Sequence, residues 1–582
     1  MFINRLFALP CLFSLVTSQV SGSSDVTAQG HKHVKHVKQV AIIGAGAAGS
    51  SAAYHLRKYA DEEDIVLNIT MFERTGRIGG RTLTVDVYDN PLEPVELGAS
   101  IFVEVNHILY NATRDFGLPL KDPGSDEDGI LGIWDGERFV YQQDSRSWGW
   151  WNIAKLLWQY GSSPYYTRRL VQETVATFLK LYEAPQFPFR SLSTRAYELG
   201  LVKVTGLTGE QFLTENKLNG AFAHDIVQAS TRVNYASNLP YIHGLGTMVA
   251  MAPEGAVAVQ GGNWRIFSRM VEASGAHVYM NSPVTSIKAE KGEKGSDSPK
   301  YKIKTAAGND VDAEKKHHPL TFDDVVIAAP YQFSKISHAE NLMHPIDKIP
   351  YATLHVTLFA TPYRFSPAFF GLEPGTEVPI SVLTTLGPED DPSAGAGKAG
   401  FYSATQLKTV TNPRTQRTEY VYKIFSPEKV TPDFLSRLLG AEVPENFVGK
   451  PPKGKDSDDE AVVQTISWYH PTVFHPYPRK LPRVTFQDPV LGDGLYYTSG
   501  IESFISTMET SALMGMNVAR LIVDDYLGVA EPEPEEPEPA PPVVVQVEDA
   551  GAQNVLAEQQ EKTAEEFGRP ASSSGEQEEG EL

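Results

Sequence analysis

The sequence predicts an α/β protein with one domain on a parallel sheet and a second α+β domain on an antiparallel or mixed sheet. Three observations lead to this prediction. A short apolar run at residues 40–43 enters a glycine-rich turn, which is typical of a buried parallel strand before a helix. A second strand and helix are expected over residues 494–523. Between them, residues 418–425 alternate well enough for an antiparallel strand.

The composition is that of a large globular chain. Of 582 residues, 41% are hydrophobic, 10% aromatic and 21% charged, which is enough for a sizeable core. The formal net charge is −21, and residues 531–582 contribute 15 acidic against 2 basic side chains. An acidic body without a basic stripe argues against nucleic-acid binding. The single cysteine, Cys11, argues against disulfides and thiolate metal sites, and no metal-binding motif occurs, so no metal is expected.

The N-terminus has the pattern of a secretory signal. Arg5 precedes an apolar stretch at residues 6–16, and small polar residues follow, so we predict a signal peptide over residues 1–22. The stretch is shorter than the roughly 20 residues of a membrane span, and no other segment is long enough. Glycosylation sequons begin at Asn111 and Asn68. Asn111 is the better candidate, because Asn68 falls inside a predicted core strand.

The turn after the first strand has the pattern of a dinucleotide-binding fold. It carries the spacing G-x-G-x-x-G, made by Gly44, Gly46, Ala47, Ala48 and Gly49. Gly44 permits the tight turn, Gly46 lets the backbone approach a pyrophosphate, and Gly49 lets the helix pack closely on the strand. The helix N-terminus offers unpaired N–H groups to the phosphates. Glu73 ends the second predicted strand, where its carboxylate can accept hydrogen bonds from a ribose.

A second glycine motif follows that acidic residue directly. It consists of Arg74, Gly79, Gly80 and Arg81, and a small-residue turn follows at Gly98, Ala99 and Ser100. In this order the motifs resemble the FAD-containing amine-oxidase-like flavoproteins, whose FAD-binding domain is Rossmann-like and of the GR2 type. The resemblance implies that FAD is the cofactor. It also implies that the arginines and glycines lie near the pyrophosphate and the small-residue turn beneath the flavin ring.

The C-terminal end of the body extends this resemblance. A predicted strand over residues 494–499 leads to Gly500 and Glu502, and a helix opens around Met508 and Glu509. In the resembling flavoproteins the G-x-E segment lies near the ribityl chain and pyrophosphate, and the helix N-terminus points at the flavin pyrimidine. Reduced flavin carries negative charge there, which helix N–H groups stabilise. The resemblance therefore implies that these four residues bind FAD.

The middle of the chain narrows the resemblance to the prenylcysteine oxidases, also called prenylcysteine lyases. Residues 231–235 read T-R-V-N-Y, and residues 259–264 read V-Q-G-G-N-W before a short predicted helix. The resemblance implies an oxidase that cleaves S-prenyl-L-cysteine, with a farnesyl or geranylgeranyl tail, by hydride transfer to flavin. The products would be prenyl aldehyde, free cysteine and, from O₂, hydrogen peroxide. The resemblance also implies an adenine contact at Val284 and a lysosomal, vacuolar or extracellular location.

Such a substrate needs an apolar slot and a polar end. Five of the seven tryptophans fall within residues 134–158, where they fit a helical core, a substrate tunnel or a peripheral membrane contact. For the cysteine carboxylate, Arg232 is the first candidate, because a guanidinium binds carboxylates through two hydrogen bonds. A structural salt bridge is the alternative. His470, His475 and Arg479 are further candidates, and the sequence assigns no catalytic residue.

The domains are expected to interleave along the chain. The predicted order is a signal peptide over 1–22, a polar linker over 23–37, an FAD-binding domain over 38–130, 255–345 and 485–528, a substrate domain over 131–254 and 346–484, and a disordered Pro/Glu-rich acidic tail over 529–582. The tail is too polar to bury enough surface to offset the entropy of ordering it.

Two rival functions stay open at this point. An amine or polyamine oxidase shares the fold and cofactor, but those enzymes usually surround the flavin with an aromatic cage and often a lysine, which the sequence does not locate. A prenyl-binding escort of the Rab GDP-dissociation-inhibitor type shares the fold without flavin. It is disfavoured because Glu73, Arg81 and Glu502 occur together. The oligomeric state is not predicted.

Overall fold

Strands and helices come in runs along the chain, with helical elements alone over residues 149–250. The computed structural model describes residues 37–123, 127–147, 149–253, 255–290, 299–306, 321–447 and 464–529. The predicted signal peptide, almost all of the predicted linker and all but the first residue of the predicted tail lie outside these residues.

The strands are β1 (Lys38–Ile43), β2 (Leu67–Phe72), β3 (Thr84–Asp86), β4 (Pro94–Glu96), β5 (Leu120–Lys121), β6 (Ile130–Trp134), β7 (Phe139–Asp144), β8 (Ala258–Val259), β9 (His277–Tyr279), β10 (Val284–Glu290), β11 (Lys300–Thr305), β12 (Asp324–Ile327), β13 (His338–Ala339), β14 (Leu354–Thr361), β15 (Ser381–Thr384), β16 (Ser403–Thr411), β17 (Thr418–Ser426), β18 (Trp468–Phe474), β19 (Val490–Gly492) and β20 (Leu495–Tyr497). The helices are α1 (Ala47–Glu62), α2 (His107–Asp115), α3 (Gly149–Tyr160), α4 (Ser163–Leu179), α5 (Leu192–Glu198), α6 (Val202–Thr205), α7 (Gly209–Glu215), α8 (Gln228–Tyr235), α9 (Gly244–Ala250), α10 (Trp264–Ser274), α11 (Tyr331–Ser334), α12 (Pro432–Leu439) and α13 (Met508–Leu527).

A six-stranded sheet in the order β19-β20-β12-β1-β2-β9 confirms the predicted Rossmann-like layer. Its neighbouring strands are parallel, except that β19 runs antiparallel to β20. In β1, Val40, Ala41 and Ile42 are fully buried, because a central parallel strand is covered on both faces. Helices α1 and α13 pack together on this sheet so closely that a Cβ at Gly515 would lie 2.2 Å from the Ala48 carbonyl oxygen.

The turn between β1 and α1 depends on two glycines. Gly44 adopts a φ of +106°, which side chains rarely tolerate, and a Cβ there would lie 2.8 Å from the Ala328 carbonyl oxygen. A Cβ at Gly49 would lie 1.9 Å from the carbonyl oxygen of Gly44. These contacts bring the start of α1 against the end of β1, as the glycine spacing predicts.

A seven-stranded sheet in the order β18-β14-β17-β16-β15-β6-β7 forms the second large layer. It is mixed, because β15 pairs parallel with β6 while the other neighbours are antiparallel. One face packs Phe359, Tyr422 and Ile424 into an aromatic-rich core. The second sheet is therefore mixed, which is one of the two forms predicted for it.

The described residues from 37 to Gly528 belong to one compact unit. All strands of the six-stranded sheet come from segments predicted for the FAD-binding domain, and β6 crosses the predicted boundary at residue 130. The exact domain boundaries stay a prediction. None of the helices within the described ranges is both long and apolar enough to cross a bilayer.

The two sequon asparagines both have exposed side chains. Asn111 lies on α2. Asn68 lies in β2, as predicted, but at a position before the part of β2 that pairs with β9. It is exposed, while the remaining residues of β2 are buried. Burial therefore does not argue against Asn68, and the use of either sequon stays a prediction.

Candidate functional site

A cavity of about 1060 Å³ is lined by residues from both large sheets. One part of the lining comes from the turns that follow β1 and β2 and from the N-terminus of α13. The other part comes from β14, β16 and β17 and from the helices α4, α8 and α9. Ligand pockets commonly enclose about 300–1,000 Å³, so this cavity is large for a single small molecule.

The two predicted glycine motifs meet at this cavity. The Gly79 N–H donates to the Ala45 carbonyl oxygen at 2.8 Å, which ties the second turn to the first. Gly46 and Gly80 face each other, and a Cβ at Gly46 would come within 4 Å only of the Gly80 Cα, at 3.7 Å. The φ of Gly46 is −81°, which any residue adopts. Protein packing therefore does not require glycine at this position, whereas a ligand that approaches the backbone would.

Glu73 lies at the carboxyl end of β2 and supports the first turn. Its buried carboxylate accepts from the Ala45 N–H at 2.9 Å and from the Thr75 N–H at 2.8 Å. It also lines the cavity, so it is placed where a ribose-binding acid is expected. Arg74 lines the cavity as well, but its guanidinium donates to the Phe333 carbonyl oxygen at 2.7 Å.

Arg81 and Glu502, which come from opposite ends of the chain, pair with each other at the cavity wall. Arg81 Nη1 and Nη2 lie 2.7 and 2.6 Å from the two carboxylate oxygens of Glu502. The Tyr351 hydroxyl donates to the same carboxylate at 3.0 Å. Burial, and after it the charge of Glu502, raise the pKa of Tyr351. Both residues line the cavity, and each is held there by the other.

The N-terminus of α13 opens onto the cavity, as the sequence predicts. Thr507 caps it by accepting from the Thr510 N–H at 3.0 Å, and Met508 and Glu509 form the first turn. The Glu509 carboxylate accepts from the N–H groups of Ile108 and Leu109 at 2.9 and 3.0 Å, so it caps α2. Burial raises the pKa of Glu509 to about 7.

The remaining predicted cofactor residues divide between lining and packing. Gly98, Ala99, Ser100 and Val284 line the cavity, as do Ala47 and Ala48. Gly49 and Gly500 are not part of the lining. A Cβ at Gly500 would lie 2.3 Å from the Gln487 carbonyl oxygen, so this glycine allows close backbone packing rather than ligand contact.

A buried lysine and a half-buried glutamate lie beside the small-residue turn, and the sequence assigns neither of them a role at the site. Lys423 Nζ donates to the Glu96 carbonyl oxygen and to Ser100 Oγ, each at 3.0 Å. Burial lowers the pKa of Lys423 to about 8, although the Glu96 carboxylate opposes this shift. Burial raises the pKa of Glu96 to about 7. Glu96 Oε1 accepts from the Asn263 N–H at 2.7 Å, while Oε2 has no hydrogen-bond partner among the described residues.

An aromatic pair, Tyr235 and Tyr477, forms another part of the wall. The two rings meet edge to face with centroids 5.5 Å apart. Behind them, the buried Lys480 places its Nζ 3.8 Å from the Tyr235 centroid. The sequence located neither a lysine nor an aromatic group for such a role, whereas the structure places Tyr235, Tyr477 and Lys423 in the cavity lining.

Arg232 does not lie where the sequence places it. It is fully buried outside the cavity lining. Its guanidinium donates to Thr384 Oγ1, Asn238 Oδ1 and the carbonyl oxygens of Gly395 and Ala396. With these partners none of its five N–H groups is left for a substrate carboxylate. Arg232 therefore has a structural role, but the predicted salt bridge is absent among the described residues, because these partners are all neutral.

The other proposed head-group residues separate as well. His475 lines the cavity and stacks on Phe333 with centroids 5.1 Å apart. His470 lies on β18 against Trp468, outside the lining, and Arg479 is also outside it. His470 is therefore not placed to contact a ligand in this cavity. Among the described residues, no group of three or more metal-ligating side chains comes together.

The chain is similar to known proteins along most of its length. The family model described as prenylcysteine lyase matches residues 143–532, and one described as NAD(P)-binding Rossmann-like domain matches residues 42–116. A farnesylcysteine lyase of Arabidopsis thaliana is 27% identical over 84% of this chain and 88% of its own length. A prenylcysteine oxidase 1 of Bos taurus is 29% identical, over 83% and 88%. Among solved structures, the cyclohexylamine oxidase of Brevibacterium oxydans has a TM-score of 0.50 at 16% identity, over 84% and 100%, which supports the fold alone.

Proposed function

Because the chain belongs to the prenylcysteine lyase family, we propose that it is an FAD-dependent thioether oxidase that cleaves S-prenyl-L-cysteine. The observation that carries this proposal is the family match over residues 143–532, which includes most of the cavity's apolar wall. The overall reaction converts the prenyl thioether, water and O₂ into a prenyl aldehyde, cysteine and hydrogen peroxide.

The residues present fit FAD. A Cβ at Gly46 would have only the Gly80 Cα within 4 Å, and the first turns of α1 and α13, whose leading N–H groups lack intrahelical partners, both line the cavity. Gly46, Gly80 and the α13 N-terminus would hold the phosphates and the flavin, and Glu73 would meet the ribose. When bound, FAD supplies a hydride acceptor and passes the electrons on to O₂.

The apolar wall positions the prenyl tail. It includes Val175, Phe178 and Leu179 of α4 and Leu354 and Val356 of β14. Each CH₂-sized group that it buries contributes about 0.8 kcal/mol to binding. The carbon that must lose hydride is allylic and bonded to sulfur, so both neighbours stabilise the positive charge that develops there. Holding the two reacting atoms about 3–3.5 Å apart in the right orientation therefore matters more than a strong base at this step.

Lys423 handles the proton of the later steps. Water that adds to the oxidised carbon must lose a proton, and the departing cysteine sulfur must gain one. With a pKa of about 8, Lys423 Nζ is partly neutral near pH 8 and can accept the first proton and return it to the sulfur. Ser100 Oγ and the Glu96 carbonyl oxygen hold the amine in place from the side of the small-residue turn.

An amine oxidase remains the second candidate, because Lys423 and the Tyr235–Tyr477 pair both line the cavity. The family match favours the thioether substrate. A prenyl-binding escort without flavin would leave unexplained why a glycine occupies position 46, where only the Gly80 Cα would come within 4 Å of a Cβ.

The cellular setting is proposed from the sequence. The N-terminal signal pattern and the family resemblance support a route through the secretory pathway to a lysosome, a vacuole or the extracellular space. A peripheral contact with a membrane would bring the enzyme to a lipid-linked substrate.

The decisive experiment measures peroxide and aldehyde release from farnesylcysteine, geranylgeranylcysteine and a panel of amines. The proposal expects both products from the prenylcysteines, in equal amounts, and none from the amines. The variant Gly46→Ala serves as the cofactor-deficient control. Peroxide from amines alone would establish the amine oxidase, and a purified protein without visible flavin absorbance would establish the escort.

A further inference from the structure

Helices α3 and α4 expose an unusual set of large apolar side chains. The set consists of Trp151 (56% exposed), Leu157 (44%), Trp158 (88%), Tyr165 (60%) and Tyr166 (53%), and we call it the aromatic patch. Trp158 and Tyr165 lie within about one helical turn of the junction at residues 161–162. Soluble proteins rarely expose such side chains together without a binding partner.

Other side chains of the same two helices pack toward the cavity. Leu156, Tyr160 and Val171 pack into one apolar cluster with Leu383, which lines the cavity. Further along α4, Phe178 lines the cavity directly. Tyr165 and Phe178 are 13 positions apart in this helix, or about 20 Å at 1.5 Å per residue. One helix thus connects the aromatic patch to the cavity wall.

The geometry points to a lipid bilayer surface as the partner of the aromatic patch, and we propose that the patch inserts into the bilayer interface. Trp and Tyr have the amphipathic rings that concentrate at bilayer interfaces. Trp158 is 88% exposed and so has little protein packed around it. The choice of a lipid surface also rests on the proposed function, because a cysteine carrying a prenyl tail partitions into membranes.

The cations on these helices already have protein partners. Lys155 Nζ donates to the Gln142 carbonyl oxygen at 2.8 Å, and Arg169 Nε pairs with the Glu173 carboxylate at 2.7 Å. The whole chain is acidic, with a formal charge of −21, so attraction to anionic lipid cannot be the main source of binding. Phosphatidylcholine vesicles should therefore suffice.

The test is vesicle flotation of the full chain with phosphatidylcholine vesicles and no substrate. The double variant Trp151→Ser/Trp158→Ser should lower the partition coefficient by at least about tenfold, because two large aromatic side chains no longer leave water. Tyr197→Ser is the matched control, since Tyr197 is 68% exposed on α5 and outside the aromatic patch. The control should bind as the unsubstituted chain does. Lipids brominated on their acyl chains should quench tryptophan fluorescence of the unsubstituted chain more than that of the double variant.

Three results would overturn the inference. They are no binding of the unsubstituted chain, equal binding of the double variant, and a change in molecular mass by light scattering that assigns the aromatic patch to a second copy of the chain. Flavin content, measured on the same samples, shows whether the variants have folded. Because flotation needs no turnover, a chain that binds vesicles but releases no peroxide would contradict the proposed function and leave this inference standing.

Discussion

Replacement of Lys423 by methionine should change the free energy of unfolding and the turnover of the enzyme in different ways. The side chain is 8% exposed and lies on the face of β17 that meets the cavity, between Leu358 of β14 and Thr405 of β16. Methionine has nearly the same length and no charge. The substitution therefore removes a buried ammonium while keeping most of the packing.

The magnitude follows from the pKa of Lys423. Folding lowers this pKa from its usual 10.5 to about 8, so between these pH values the unfolded chain binds a proton that the folded chain does not. The free energy of unfolding therefore rises with pH between 8 and 10.5, by about 3 kcal/mol in total. Below pH 8 Lys423 is protonated in both the folded and the unfolded chain, so the full cost of burying its charge is present. The variant escapes it but loses two hydrogen bonds, each contributing about 1 kcal/mol.

We therefore expect Lys423→Met to be about 1 kcal/mol more stable than the unsubstituted chain at pH 7 and about 2 kcal/mol less stable near pH 10.5. With an unfolding entropy of about 2.1 cal/mol/K per residue over roughly 500 residues, each kcal/mol moves Tm by about 1 °C. Thermal unfolding of the holoprotein at both pH values measures the difference. Lys58→Met, at an exposed position of α1, should change Tm by less than about 0.5 °C.

The same variant should lose at least about 100-fold in turnover, because proton transfer by a positioned group contributes that much or more. Flavin content should be unchanged, and the rise of turnover centred near pH 8 should disappear. A Tm difference that is the same at both pH values would refute the electrostatic argument. Turnover within threefold of the unsubstituted enzyme would refute the catalytic one.

Three further predictions concern residues whose surroundings are equally well defined. Gly46→Ala should bind at least tenfold less flavin than the unsubstituted chain. Without flavin, the two chains should unfold at the same Tm, or the variant at a slightly higher one. Gly49→Ala should fail to fold, because its Cβ would lie 1.9 Å from a carbonyl oxygen. Flavin absorbance per protein and circular dichroism distinguish the two outcomes. Glu502→Gln should lower Tm by about 2–3 °C, since it removes the charge that Arg81 binds, and a Tm within 1 °C would contradict this. Arg232→Met should lower Tm by about 3 °C or more while KM for prenylcysteine stays unchanged, and a tenfold rise in KM would restore the carboxylate-binding role.

Much of the fold could be predicted because its signals are local. The order of apolar strand, glycine turn and helix occupies one short stretch of chain, and β1 and α1 lie where that order places them. Strand β17 was recognised from its alternation in the same way. The order of the seven-stranded sheet could not be predicted, because β15 finds its parallel partner β6 about 250 residues away. Such pairings depend on tertiary packing rather than on local pattern.

In the candidate site, too, the residues with a local sequence signal could be predicted and those that depend on distant contacts could not. The glycine motifs were recognised because a tight turn or a close backbone approach requires a particular residue type at a particular spacing. The function of Arg232 was predicted from its residue type alone. Its actual role depends on the carbonyl oxygens of Gly395 and Ala396, more than 160 residues away, which no local pattern reveals.

Lys423 was missed for a different reason, because its signal was present. Val421, Lys423 and Phe425 share one face of β17, so the lysine lies between two apolar residues on that face. A lysine on the buried face of a strand must either extend its charge to water or keep it in a weakly solvated place at a cost in stability. The structure shows the second case, since Nζ ends on a carbonyl and a hydroxyl inside the cavity wall. A charge that breaks the apolar alternation of a predicted strand is therefore itself a reason to search there for chemistry.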